Sequence, residues 1–460
     1  MIDQIEWDRF KSSFNELPSP FMRGMGERPL RITLHSETLT DVSDREKTTI
    51  ELIRELANLP ELEIFETGGQ GDFPHIVVGE PSSEDDFIPV QLFHGDTLQL
   101  RTLVWNKRQW PLIAAHLVGT TENSEEKLNL LILAQAHRSV RGDILITKSP
   151  FLLSNRNQGS VSEANPRTPS EAAQLIGLFL RSRNNYTIQA RTNFKNCFDR
   201  WLFYWVLARY HLPSMWRYFS ACMHSRATRG DDIQELGESI LVRTVRALEA
   251  RDTIGIQFYI PQNKDTEDQM LYHFDYLTLL LSGAFDAQAR VANRAYHPKG
   301  VKEQYATFRR PQFREALANS GARELYELSS SEKFNNLLTL LYEPRNTIHG
   351  AALKTVTYQR GSAQHTYIEI TQDAGQKLLE AGRQLGGAKE WGLISEFDRI
   401  WLEPYSYASA LVKESLNAIN SVAAATDVTR LFQSQPIPSL AEEAPKDPVF
   451  AWGERISVLA

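Results

Sequence analysis

The chain has 460 residues, room for two to four domains at about 150 residues each. Its 42% hydrophobic and 23% charged residues are ordinary for a globular protein. No run approaches the ~18 apolar residues of a membrane span, and the N-terminus, MIDQIEWDRF, has no basic-then-apolar signal pattern. Two cysteines, Cys197 and Cys222, are too few for a disulfide framework or a Cys-rich zinc site. These features predict a cytoplasmic protein with no membrane contact, metal or cofactor. The net charge is −7. Between Arg181 and Arg229, however, nine basic residues face one acid, Asp199, an island of +8 on a remainder of −15. Such an island favours local anion binding.

The first 150 residues alternate between element types. A helix-like start (5–14) leads to a strand reading RPLRITLH (28–35), and Ile50, Ile53, Leu56 and Leu59 share one face of a helix from Asp44 to Leu59. Short β-rich stretches follow at 62–65, 75–78 and 89–94, then further helix and strand near 110–147. Gly68-Gly69-Gln70-Gly71 lacks the Lys-Ser/Thr of a P-loop and reads as a turn. His35, His75 and His94 lie on or beside these strands without carboxylates at ligand spacing. A βαβ unit followed by a hairpin, with Pro74 before the third strand, resembles a thioredoxin-like domain. That resemblance implies a cis-proline at 74, but the unit holds no cysteine for redox chemistry.

The Asn-, Ser-, Gly- and Pro-rich stretch within 151–169 reads as a linker. Residues 170–230 then form a basic, aromatic helical segment. A helix opens at Ser170, and a dense aromatic helix runs from Phe194 to Tyr210 with Cys197 as a small core residue. Its arginines could follow an RNA backbone while its aromatic rings stack on bases. Arg181, Arg183, Arg191, Lys195, Arg200 and Arg209 are the candidate RNA contacts. A buried helix with snorkelling arginines is the competing reading.

A helical bundle is predicted over 231–428. Met270, Phe274, Leu277, Leu281 and Ala284 step by 4, 3, 4 and 3 within a helix from Asp268 to Tyr296, the spacing of lengthwise packing. A helix over Ser331–Tyr342 precedes Pro344, which suits the first turn of a further helical segment. A hairpin is expected near 354–370, helices at 373–385 and 407–424, and a Pro-rich acidic tail over 429–460.

The segment Tyr342-Glu343-Pro344-Arg345-Asn346-Thr347-Ile348-His349-Gly350 carries the chemistry. Arg345 and His349, four apart, share one helix face. Guanidinium forks onto phosphate oxygens, and imidazole moves a proton near neutral pH. RNTIHG after a long apolar helix resembles the signature of HEPN domains, helical bundles of toxin–antitoxin, abortive-infection and RNA-processing systems. Residues 247–293 resemble that family's first long helix pair.

The resemblance implies a metal-independent endoribonuclease with Arg345, Asn346 and His349 as its catalytic set. Asp286 and Arg290, four apart in the long helix, are candidate supporting residues from their spacing, with Arg290 turned toward the Arg345 site; an i, i+4 salt bridge is the competing reading. The resemblance also implies a homodimer and, in such systems, an antitoxin or defence-system partner in bacterial antiphage defence. Three residues separate Arg345 from His349, against four to six in the family. The expected fold class is α+β multidomain, an α/β unit followed by a HEPN-like bundle. The alternative function is a non-catalytic scaffold that dimerises and binds a protein partner or RNA.

Overall fold

The computed structural model describes residues 28–68, 73–79, 87–94, 97–105, 125–156, 159–191, 193–350, 353–360, 363–396, 399–433 and 435–441. Within these, 87, 101–105, 125, 159–160, 347–350, 358–360 and 363–365 are described by their backbone alone.

The α/β unit is built on a seven-stranded sheet: β1 (Leu30–Leu34), β2 (Leu62–Thr67), β3 (His75–Val78), β4 (Phe87–His94), β5 (Thr97–Trp105), β6 (Ile144–Ile146) and β7 (Pro166–Arg167), in the order β5-β4-β3-β2-β1-β6-β7. The strands from β3 to β7 in that order pair in parallel, and β4 and β5 extend the sheet as an antiparallel edge. Parallel strands are buried on both faces, which explains the unbroken apolar run ILI of β6 and the burial of every residue of LRITL except the half-buried Arg31.

Helix α1 (Asp44–Leu56) starts at a capping box in which Ser43 and Glu46 satisfy each other's backbone N–H groups. It covers one face of the sheet together with α5 (Pro169–Ser182). On this side Ile32, Leu34, Ile64 and Ile146 join Ile53, Leu56, Ile176 and Phe179 in one core. Helix α2 (Glu125–Ser139) covers the opposite face, where Ile132 and Ala136 meet Phe65, Ile76 and Val90.

The stretch expected to link the two parts is folded into the sheet. Pro150–Ser154 (α3) and Gly159–Ala164 (α4) are short helices, and Pro166–Arg167 pairs with Leu145–Ile146 as an edge strand. Its composition misled because the same residues cap helices: Ser149 caps α3, and Thr168 with Glu171 forms a capping box on α5. An edge strand also tolerates proline. The peptide bond before Pro74 is trans rather than cis. The Pro74 carbonyl accepts the Glu66 N–H at 2.9 Å, holding this turn beside β2.

Phe194–Cys197, expected to open the aromatic helix, is instead a strand, β9, paired antiparallel with β8 (Thr187–Arg191). The aromatic helix begins only at α6 (Arg200–His211). Asp199 sets that start by accepting the Leu202 N–H at 2.8 Å. Cys197 is consequently exposed rather than a core residue, while Cys222 is buried.

The helical part continues with α7 (Pro213–His224), α8 (Arg226–Arg229), α9 (Asp232–Tyr259), α10 (Lys264–Tyr296), α11 (Pro311–Asn319), α12 (Arg323–Ser330), α13 (Glu332–Gly350), α14 (Gln372–Gln384) and α15 (Pro404–Ala425). The long pair α9 and α10 forms its axis, and the five residues spaced along α10 by 4, 3, 4 and 3 are all buried. Helix α15 lies against both members of the pair. Gly255 permits close approach there, because a Cβ at that position would collide with the Tyr405 ring.

The hairpin near 354–370 is present as β10 (Lys354–Arg360) and β11 (Ala363–Ile370). It belongs to a four-stranded antiparallel sheet with β12 (Leu393–Glu396) and β13 (Arg399–Leu402). Most of the Pro-rich tail lies outside the described residues. No helix among the described residues is long and apolar enough to cross a membrane. The whole is a mixed α+β architecture.

One hydrophobic core runs from Leu30 in β1 through to Phe432. Where α5 meets α9, it encloses an ionic junction. Asp252 accepts from Arg181 Nε at 2.5 Å, from Tyr204 Oη at 3.0 Å and from Arg251 Nη2 at 2.6 Å. Burial pushes the Asp252 carboxyl up, but Arg181 and Arg251 outweigh it and hold the group below the usual carboxylate range. Removing the carboxylate leaves two guanidiniums buried beside each other, a loss of about 3–5 kcal/mol. Asp252→Ala is expected to lose that much in urea unfolding at pH 7. Since the folded-state pKa is depressed, the Asp252 contribution is present above the unfolded carboxylate value of about 3.9. It disappears as pH falls through the lower folded value, so the loss from Asp252→Ala should shrink in acid.

Candidate cationic cleft

Helix α13 runs unbroken from Glu332 to Gly350 with Pro344 inside it, where a helix end and a new start were expected. Proline has no N–H for the carbonyl four residues back. Here that carbonyl, Leu340 O, accepts from Tyr407 Oη of α15 at 2.5 Å. Tyr407 is itself fixed edge-on against Trp391, with ring centroids 5.7 Å apart. A hydroxyl from a neighbouring helix thus replaces the missing backbone donor, and α13 carries Arg345 and Asn346 one turn further.

Arg345 enters a cleft of about 470 Å³ between α10, α13 and the chain leading into α11. Asp286 and Arg290, one turn apart on α10, form one wall, and Thr307, Arg309 and Arg310 form another. Tyr342 lies at its base. The guanidiniums of Arg309 and Arg345 stand 4.3 and 5.6 Å from the Tyr342 ring centroid, and that of Arg310 stands 4.9 Å from the Tyr305 ring. Among the described lining residues, four arginines therefore share this space with one carboxylate. Arg345 Nε is buried with no hydrogen-bond acceptor among the described residues, a costly state that an incoming anion would relieve.

Asp286 tempers the charge. Burial pushes its carboxyl up, opposed by a hydrogen bond from Thr307 and by Arg345 and Arg290. The Tyr342 hydroxyl donates weakly to Asp286 Oδ1 at 3.5 Å, and burial drives the phenol well above its ordinary value.

Arg345, Asp286 and Arg290 are therefore brought together, while Asn346 is exposed beside them. The side chain of His349 lies outside the described residues, although the helix backbone continues through it. Arg309, Arg310 and Tyr305 were not anticipated. The only signal was the Arg309-Arg310 doublet before Pro311.

The six RNA-contact candidates differ in their surroundings. Arg181 is locked in the core against Asp252, which removes it from any such surface. Arg191 pairs with Glu55 and Arg200 with Glu249. Arg183 lies over the Phe179 ring at 4.8 Å and Arg209 over Trp216 at 4.7 Å, while Lys195 is exposed on β9. The three histidines are also dispersed: His35 is buried after β1, His75 stacks on Phe93, and His94 ends β4. No cluster that could hold a metal occurs among the described residues. No protein-family model, curated protein or solved structure matches the chain.

Two outcomes test this geometry. Tyr407→Phe should cost about 1–3 kcal/mol by orphaning the Leu340 carbonyl. Less of that loss should appear in a Pro344→Ala background, where residue 344 regains an N–H, as a double-mutant cycle by urea unfolding will read. For the cleft, the raised Asp286 carboxyl means that lowering pH neutralises it and increases the positive charge. Anion binding, followed by titration with inorganic phosphate or oligonucleotide at constant salt, should tighten as pH falls through that group. Asp286→Asn should bind more tightly at pH 7 and lose this pH-dependent step.

Proposed function

We propose that the protein is an RNA-binding, RNA-cleaving effector of HEPN type, working through the arginine cleft. The supporting observation is the convergence of Arg290, Arg309, Arg310 and Arg345 on one cleft, with the Arg345 Nε buried and lacking an acceptor among the described residues. A phosphodiester supplies the missing acceptor, and a polyanionic chain engages the outer arginines along its backbone.

In the reaction, the ribose 2′-hydroxyl loses its proton and its oxygen attacks the adjacent phosphorus. The bond from phosphorus to the 5′-oxygen breaks, leaving a 2′,3′-cyclic phosphate, and the leaving oxygen takes a proton to become a 5′-hydroxyl. Arg345 stabilises the charge growing on the non-bridging oxygens. His349 moves the proton as general acid or base, and Asn346 orients the phosphate. Pairing of two such clefts across a homodimer, control by an antitoxin or defence-system partner, and a cytoplasmic setting in antiphage defence complete the proposal.

A second reading is favoured by the short Arg345–His349 spacing: a scaffold that binds RNA without cutting it. Purified protein incubated with RNA in EDTA should yield cyclic-phosphate ends, and Arg345→Ala and His349→Ala should abolish them with little change in Tm. Arg309→Ala should weaken binding and lower the slope of log affinity against log salt by about 0.7 for each phosphate that the shortened side chain no longer neutralises. Binding without cleavage by the wild type would establish the scaffold reading.

A further inference from the structure

The α/β unit contains a second cavity, unrelated to the arginine cleft. The chain leaves β1 for β2 across one face of the sheet and later reaches β6, on the other side of β1, through α2 on the opposite face. The strand order thus reverses between β1 and β6. In open α/β sheets, ligands bind outside the carboxyl ends of the strands at such a reversal. The two strand ends are tied there by His35 Nδ1 and Thr147 Oγ1, 3.0 Å apart, with Thr38 Oγ1 3.2 Å from the same hydroxyl.

A cavity of about 700 Å³ opens beside this junction, over the ends of β1, β2 and β3. Its size is that of a small-molecule site. Its polar lining includes Glu37, Glu126 and Asn129, next to the buried His35. Glu126, Asn129 and Leu133 follow the i, i+3, i+7 face of α2, so one stripe of that helix forms the wall. Ile76, Ile88 and Ile132 supply an aliphatic surface. Glu126 and Asn129 make no side-chain hydrogen bond among the described residues, and Glu37 Oε2 stands 3.9 Å from His35 Nε2. Gly68, at φ +65°, turns the chain at the rim, and a Cβ there would lie 3.4 Å from Glu37 Oε1. No lysine or arginine is among the described lining residues.

This combination selects a ligand. Two carboxylates repel phosphate and accept hydrogen bonds from paired hydroxyls, as acidic residues do for ribose at such reversals. Branched aliphatic walls suit a flat ring. We propose that this cavity binds a nucleoside, its sugar hydroxyls on Glu37 and Glu126 and its base against Ile76 and Ile132, making the α/β unit a small-molecule sensor.

The test is calorimetric titration of the full chain with adenosine, guanosine, cytidine and uridine, and with each 5′-monophosphate. At least one nucleoside should bind at least tenfold more tightly than its monophosphate. Glu37→Gln, at an exposed side chain, should weaken binding at least tenfold. Val77→Trp, at a rim position 37% exposed, should block it. Absence of binding by all four nucleosides, tighter binding of the monophosphates, or unchanged binding by Glu37→Gln would each overturn the proposal. The readout involves no RNA, so it succeeds or fails independently of the arginine cleft.

Discussion

A buried carboxylate held by two guanidiniums and a phenol is the constraint on which the arrangement of the two parts depends. Asp252 belongs to the long helix pair at the axis of the bundle, Arg181 to the helix that covers the sheet, and Tyr204 to the aromatic helix between them. Hydrophobic surfaces can slide over one another with little change in buried area. A carboxylate whose ligands come from three helices cannot, because any slip leaves a charge without its partner in a medium that does not solvate it. The sheet and the bundle are therefore fixed in register as well as in contact. Tyr405, packed against the gap left by Gly255, brings α15 to the same place.

Two cavities occupy opposite ends of the charge scale. The cleft on α10 and α13 gathers four arginines and keeps its single described carboxylate partly buried. The cavity over the sheet is lined by carboxylates, an amide and a histidine whose imidazole burial pulls below its ordinary value, against the pull of Glu37. An anionic polymer fits the first and is repelled by the second. The acidic net charge of the chain is thus consistent with a strongly basic local site.

Much of this was legible in the sequence. The period of α10 and the pairing of Asp286 with Arg290 one turn apart followed from spacing, because helix periodicity fixes which residues of one helix share a face. The turn at Arg360-Gly361-Ser362 marked the hairpin; that Arg345 meets that Asp286–Arg290 pair is a tertiary fact. The errors have physical causes. Asn, Ser, Gly and Pro in 151–169 serve as caps and an edge strand, which composition cannot distinguish from a linker. The basic island at 181–229 suggested a surface, yet Arg181 is buried in the core, because its counter-ion lies 71 residues away in sequence. Arg309 and Arg310 were missed for the same reason: their site is assembled from segments distant in the chain. The outcome at Pro344 also required tertiary information, since the hydroxyl that rescues the helix comes from residue 407.

That rescue has a mechanical consequence. The bond that would ordinarily close one turn of α13 upon itself is anchored in another helix, so α13 is pinned to α15 one turn before Arg345 emerges. Rotation of α13 about its own axis at that level must either break the pin or carry Tyr407 with it, and Tyr407 in turn bears on Trp391 and Phe274. The helix end behaves as a crank whose bearing sits in its neighbour. A load taken up by the Arg345 guanidinium is transmitted through that bearing to the middle of the bundle rather than dissipated at a frayed terminus.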